Sequence, residues 1–217
     1  MLSIKRCRIQ GEKSESNKGF YYPNLINIYP KSHSNDTIIS KINEEIKEDI
    51  LCFKELIDTE DEIINYSHTD YRVTLKKKQI ISIVAIFEEL SGTQEISYIN
   101  TYNYDLFRNK KLELKDIFKP DSEYLDIISI DIQSQIKQIV DNIKSIYTEL
   151  YFEDDNDFIQ IDEDQAFYIE SDRIVICFSS YELGHKFPKP IEVSILFCNY
   201  EDYLTDYTIK EIWEGEY

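Results

Sequence analysis

Glycine and proline are scarce, with five of each in 217 residues. That excludes collagen-like, linker-rich and low-complexity architectures, which need one or both in quantity. Cysteine is sparse too: Cys7, Cys52, Cys177 and Cys198 lie far apart, and no two form a CxxC pair. Structural zinc sites draw their ligands from short paired spacings, so these thiols make none. A Cys177–Cys198 disulfide would need neighbouring strands of suitable geometry. Both cysteines sit in apolar, strand-like runs and are read instead as small core hydrophobes. Positive charge is in deficit, 24 basic against 42 acidic residues, for a net charge of −18. Such a balance repels nucleic-acid phosphates and anionic membrane surfaces. No run approaches the ~18 consecutive apolar residues of a membrane-spanning helix.

Recognisable catalytic motifs are missing as well. The three histidines, His33, His68 and His185, form no HExxH or HxH group, and the chain has no GxSxG, P-loop or GxGxxG. A dispersed Cys177–His185 pair with a carboxylate is the one catalytic grouping to weigh, and the surrounding RIVICF run marks Cys177 as core. The acidic run Glu153–Asp164 alternates Asp155 with Asp157 like a calcium loop. It lacks the glycine of the sharp turn and is interrupted by Phe158 and Ile159, so it reads as a solvated loop. No catalytic residue, metal or cofactor is assigned, and the chain is expected not to be an enzyme.

What the chain does have is 42% hydrophobic and 13% aromatic residues, including 17 tyrosines. That is the composition of a folded protein, and tyrosine suits half-buried sheet faces and binding surfaces. Short strands are expected at Ile4–Ile9 and Tyr21–Tyr29, held to edge or connecting positions by Pro23 and Pro30. Ile39, Ile42, Ile46, Ile50, Phe53 and Ile57 recur at helical spacing behind a candidate N-cap, Asp36. Glu44, Glu45, Lys47, Glu48 and Asp49 form the face expected to meet solvent. Tyr71–Leu75 alternates as a strand, and Gln79–Phe87 is rich in β-branched residues and reads as a buried one. After a Ser91–Thr93 turn, Ile96, Tyr98, Tyr102, Tyr104 and Leu106 point one way. Ser97, Thr101, Asn103 and Asp105 point the other, which predicts a half-exposed strand. A second helix is predicted from Asp121 as N-cap, with an apolar stripe from Leu125 to Leu150. Strands follow at Gln165–Ile169, Arg173–Phe178 and Ile191–Phe197. The order predicts an α+β fold: antiparallel sheets with two long amphipathic helices packed on them.

One loop stands out for function. Ser179–Pro190 carries Tyr181, Glu182, His185 and Phe187 between two strong strands, and long loops on a rigid sheet are common binding elements.

Several stretches carry a family resemblance. In the first part of the chain these are Tyr29–Pro30, Lys41–Ile42–Asn43 and Tyr71–Arg72–Val73. In the second they are Tyr102–Asn103–Tyr104–Asp105–Leu106, Lys111–Leu112–Glu113–Leu114–Lys115–Asp116–Ile117–Phe118, Asp164–Tyr168 and Phe178–Leu183. Taken in this order, they resemble the two-part extracytoplasmic module of the RsiV anti-sigma factor and the PdaC peptidoglycan deacetylase. The resemblance divides the chain into an N-terminal part, residues 1–100, and a C-terminal part, residues 101–217, joined as one unit. It also implies an accessory, non-catalytic module in which the surface around Tyr181–Leu183 helps engage lysozyme. Arg108–Asn109–Lys110 stands where relatives often place a glycine turn, and Asn109 is suited to the left-handed conformation such a turn needs.

The reading that follows is a non-catalytic protein-binding module. Its expected partner is a basic or cell-wall-active protein such as lysozyme, with Tyr181, Glu182, His185 and Phe187 in contact. The alternatives are a cytoplasmic immunity protein that neutralises a toxin domain and, lower in order, an enzyme acting on cell-wall glycan. MLSIKRCRIQGEK lacks the apolar core of a signal peptide. The expected compartment is therefore the cytoplasm for the sequence as it stands, or outside it if a leader or anchor precedes it.

Overall fold

The computed structural model describes residues 2–9, 18–27, 33–59, 64–146, 160–184, 187 and 189–213. Six strands form one sheet in chain order: β1 (Leu2–Ile9), β2 (Lys18–Asn27), β3 (Ile64–Lys77), β4 (Ile80–Ser91), β5 (Gln94–Asp105) and β6 (Lys110–Lys111). All neighbours are antiparallel except β2 and β3, which run parallel through Lys18–Phe20 and Ser67–Thr69. Helix α1 (His33–Thr59) lies between those two strands in sequence, as a parallel pair requires, since no hairpin can join it. A single turn, α2 (Leu114–Ile117), and the long α3 (Tyr124–Ile146) lead to a second antiparallel sheet of β7 (Phe167–Ile169), β8 (Arg173–Phe178) and β9 (Ile191–Leu196). The fold is α+β.

Side-chain alternation along the strands stacks these pieces into layers. On β4, Ile81, Ile83, Ala85 and Phe87 face α1 and meet Ile42, Ile46, Ile50, Phe53 and Ile57. Val84, on the other face of β4, joins Ile99 of β5 against Tyr168, Val175 and Cys177 of the second sheet. The opposite face of that second sheet presents Phe167, Ile174, Ile176, Phe178, Val193 and Ile195 to Ile128, Ile132 and Ile136 of α3. The order is helix, sheet, sheet, helix. β4 is covered on both faces, which is why its sequence runs apolar instead of alternating.

The sheet-on-sheet contact changes the reading of β5. Tyr102 and Tyr104 are buried under α1 as alternation predicts, but the opposite residues Asn103 and Asp105 are buried too, 3% and 4% exposed. The second sheet and the C-terminal turns cover the face expected to meet solvent. Each of these polar residues is hydrogen-bonded, as buried polar groups must be. Asn103 donates from Nδ2 to the Phe167 carbonyl at 2.6 Å and accepts from Ser82 Oγ at 2.7 Å. Ser82 Oγ in turn accepts from Thr74 Oγ1 at 2.9 Å and from the Ile169 N–H at 2.9 Å. The backbone of β7 that faces away from β8 is thus satisfied by side chains of the larger sheet. A second link joins the sheets where Arg72 pairs with Glu192 and lies 5.0 Å from the Tyr168 ring centre.

Asp105 accepts from the N–H groups of Phe107 and Arg108 at 2.9 Å each, closing the hairpin turn, and from Tyr207 Oη at 2.7 Å. Asn109 takes the left-handed conformation at φ 55°. Asp116 belongs to the same scaffold: it accepts from Lys110 Nζ at 2.5 Å and from the Glu113 N–H at 3.0 Å, the latter half of a capping box that starts α2.

Three local expectations shift. Helix α1 begins at His33, one turn ahead of Asp36. Helix α3 begins at Tyr124 and not after Asp121, because Pro120–Asp121 lies in a tight turn that Ser122 closes onto the Lys119 carbonyl, at 3.2 Å from its N–H and 2.6 Å from its hydroxyl. Pro23 lies within β2, opposite Arg6, where the parallel pairing with β3 has already ended at Phe20. A residue without an N–H fits there because that side of the strand has no ladder to join.

Candidate binding cleft

A helix rises about 1.5 Å per residue and a strand about 3.3 Å, so four helical residues and two strand residues both advance by about 6 Å. Glu45 and Asp49 of α1 and Tyr102 and Tyr104 of β5 exploit that match. Tyr102 Oη donates to Asp49 Oδ2 at 2.6 Å, and Tyr104 Oη donates to Glu45. Glu45 also pairs with Lys111 Nζ at 2.6 Å, and Asp49 accepts from Asn100 Nδ2 at 3.3 Å. Burial pushes both phenols well above their ordinary range, and the hydrogen bonds to the carboxylates add to the shift. The two carboxylates on the face expected to meet solvent are therefore half-buried acceptors.

They form one wall of a cleft of about 360 Å³. Its floor is β5 from Ile99 to Asn103, and its other walls are Lys111–Glu113 and Glu163–Phe167. Five carboxylates line it, Glu45, Asp49, Glu113, Glu163 and Asp164, against one lysine, Lys111. The arrangement can hold cationic groups. It is poorly suited to acid–base chemistry at Glu45 and Asp49, because both already act as acceptors to tyrosine, lysine or amide donors.

The loop singled out in the sequence sits at one end of this cleft. The Ser180 N–H donates to the Ser97 carbonyl at 2.9 Å, and the Ser97 and Ile99 N–H groups donate to Ser180 Oγ and Ser179 Oγ. Tyr181 has φ 63°, and its N–H donates to the Phe187 carbonyl at 2.7 Å. Glu182 accepts from the Ser179 N–H at 2.6 Å and from Gln165 Nε2 at 2.9 Å, bracing the loop against the cleft wall. Phe187 packs against the core of the second sheet. His185 lies outside the described residues, as does the acidic run from Glu153 to Ile159. Tyr181, Glu182 and Phe187 are thus brought into one small turn. The cleft residues were missed, although the i, i+4 carboxylates beside the Ile42–Ile46–Ile50 stripe and the i, i+2 tyrosines were a readable pair of signals.

The cysteines take no part. All four are free. Cys177 is fully buried on β8 opposite Glu192, and burial drives its thiol far above the ordinary range. Cys198 lies exposed in the turn after β9, beyond the Arg173–Leu196 end of the β8–β9 ladder, so the two do not bridge. Among the described residues, no group of three His, Cys, Asp or Glu side chains is placed to hold a metal ion, and no helix is long and apolar enough to cross a membrane.

Residues 115–196 match the model of a family described as a protein of unknown function, DUF3298. The anti-sigma-V factor RsiV of Bacillus subtilis (strain 168) is 30% identical over 194 residues, covering 84% of this chain. The chain is similar to RsiV over that stretch. It spans 63% of the length of RsiV, less than two thirds. Two crystal structures share the fold of this chain. One is a DUF3298 family member from Bacteroides fragilis NCTC 9343, with TM-score 0.58, 15% identity and 98% of each chain covered. The other is a DUF3298 family protein from Pseudomonas aeruginosa PAO1, with TM-score 0.59, 12% identity, and 100% of this chain and 96% of that one covered. Three of the stretches that carry the resemblance, Tyr102–Asn103, Lys111–Glu113 and Asp164–Phe167, line the cleft.

Proposed function

We propose that the chain is a non-catalytic binding module for a basic protein and that the acidic cleft is its contact site. The observation that carries this reading is the cleft lining, five carboxylates to one lysine, on a chain of net charge −18. Glu163 and Asp164 are exposed on the outer wall and form no salt bridge among the described residues, although Lys115 lies near enough to feel the charge of Glu163, so both remain accessible to an incoming cation. The overall field would speed encounter with a cationic protein, and the cleft would fix its position. Glu182 is bonded to Gln165 of the cleft wall, which keeps the loop in the reading as a secondary contact. The likeness to RsiV, named as an anti-sigma factor and hence as a protein that acts on another protein, supports a binding role over a catalytic one.

Hen egg lysozyme serves as the basic probe, and an acidic protein of similar size as the control. Titration calorimetry should detect binding to the full chain at low salt, with affinity falling as salt rises. The double variant Glu163→Lys, Asp164→Lys should weaken it tenfold or more while Glu44→Lys, on the far side of α1, changes it little. Binding that ignores both salt and the double variant would overturn the assignment of the cleft.

A further inference from the structure

The pairing of β4 with β5, from Ser91–Gln94 to Ile80–Asp105, turns the N–H and C=O groups of Ser97, Ile99, Thr101 and Asn103 away from β4. The contacts on that side agree. Ser97 is paired with Ser180 through both backbone groups, the Ile99 N–H donates to Ser179 Oγ, and the Asn103 carbonyl accepts from the Leu112 N–H at 2.8 Å. Between these two covered ends the Ile99 carbonyl, both backbone groups of Thr101 and the Asn103 N–H have no partner among the described residues. This open stretch of sheet edge is the floor of the acidic cleft.

Resting on the binding role proposed above, we infer that the cleft takes an extended lysine- or arginine-bearing peptide segment as an added strand on β5, with its backbone paired to Thr101. Exposed edges are a hazard that folded proteins cover, and here the open span from Ile99 to Asn103 is flanked by covered positions, Ser97 under the Ser179–Ser180 loop at one end and Lys110–Leu112 at the other. Strand addition supplies main-chain hydrogen bonds for affinity and leaves alternate side chains to be read by the walls. Those walls decide the occupant. The side chains of an added strand meet Glu45 and Asp49 on one side and Glu163 and Asp164 on the other, which favours cationic residues. A second copy of this chain, itself at −18, is repelled from the same edge. The covered ends leave room to pair with about three residues of a peptide, because Ile99 to Asn103 spans about 13 Å at strand rise.

The probe is a five-residue peptide of alternating lysine and valine with blocked ends, together with versions methylated on single backbone nitrogens. Fluorescence anisotropy at low salt should show binding to the full chain. Methylating the nitrogens that face the sheet edge should weaken it tenfold or more, and methylating the alternate ones should not. In the free chain the Thr101 amide should exchange hydrogen faster than those of Asn100 and Tyr102, and the peptide should slow it tenfold or more. Thr101→Pro, which removes the outward N–H and also fixes the local φ, should mimic the damaging methylations if it folds, and the methylated peptides give the answer if it does not. Equal binding of every methylated peptide with an unprotected Thr101 would overturn strand addition while leaving electrostatic capture of a basic partner standing. Absence of binding by both the peptide and lysozyme at low salt would overturn both.

Discussion

Asn103 should matter strongly to stability as the polar side chain of β5 that reaches across to the second sheet. Replacing it with alanine removes both of its hydrogen bonds and leaves two groups behind without partners, the Phe167 carbonyl and the Ser82 hydroxyl hydrogen. An orphaned buried polar group costs about 1–3 kcal/mol. Two of them, partly relieved by relaxation or an entering water, give about 3 kcal/mol for Asn103→Ala. In a chain of this size that corresponds to a fall in Tm of about 6–12 °C. The assay is urea unfolding followed by circular dichroism, with Asn100→Ala, an exposed residue of the same strand with one long hydrogen bond to Asp49, as the control, expected within about 0.5 kcal/mol of the parent. Asn103→Asp should be worse than alanine, since it places a carboxylate against the Phe167 carbonyl. Ser82→Ala should be non-additive with Asn103→Ala by about 1 kcal/mol or more, because the second change removes a group the first has already orphaned. A cost below about 0.5 kcal/mol for Asn103→Ala, or full additivity with Ser82→Ala, would refute the idea that this network joins the sheets.

Three further outcomes are expected. The Tyr124 hydroxyl is buried without a hydrogen-bond partner among the described residues, so Tyr124→Phe should raise the urea midpoint, by up to about 1 kcal/mol in stability; a loss would mean the hydroxyl is satisfied. Cys52 and Cys198 are exposed and should react with a thiol reagent at neutral pH well before Cys177, whose raised thiol pKa and burial withhold the thiolate; mass spectrometry of the labelled chain distinguishes them. The phenols of Tyr102, Tyr104, Tyr168, Tyr200 and Tyr207 are raised above 10.0 by burial first and by neighbouring carboxylates second. The native state therefore holds these protons after the unfolded chain has released them. Their contribution is complete below the unfolded pKa of about 10 and declines as pH rises beyond it. Urea midpoints measured up the alkaline range should fall from about that pH, with these tyrosines ionising only on unfolding; reversible ionisation of all of them in the native state near pH 10 would contradict this.

Most elements were legible because their signals are local. The stripe of α1 survives as Ile42, Ile46, Ile50, Phe53 and Ile57 against the sheet, and the runs at Arg173–Phe178 and Ile191–Leu196 become β8 and β9. The start of α3 was displaced because proline and Asp121 satisfy the rule for a helix start and the rule for a tight turn equally well, and the Ser122 hydroxyl selects the turn. The parallel pairing of β2 with β3 left no local trace at all.

The site was less legible, for a physical reason. Alternation identified the two faces of β5 but carried no information on what would lie against them. Asn103 and Asp105 have the polarity of solvent-facing residues and become buried only because a second sheet and Tyr207, more than 60 residues away, arrive to satisfy them. Glu45 and Asp49 read as a charged helix face and become acceptors only once Tyr102 and Tyr104 stand beside them.

The sequence by itself determined the secondary structure, the α+β class, the acidic surface and the likeness to RsiV, since each depends on composition, on order or on spacing within a few residues. The cleft, its open sheet edge and the burial of Asn103 were decided by tertiary structure alone. They arise where residues far apart in the chain meet, and hydrogen bonds between such residues leave no periodicity along it.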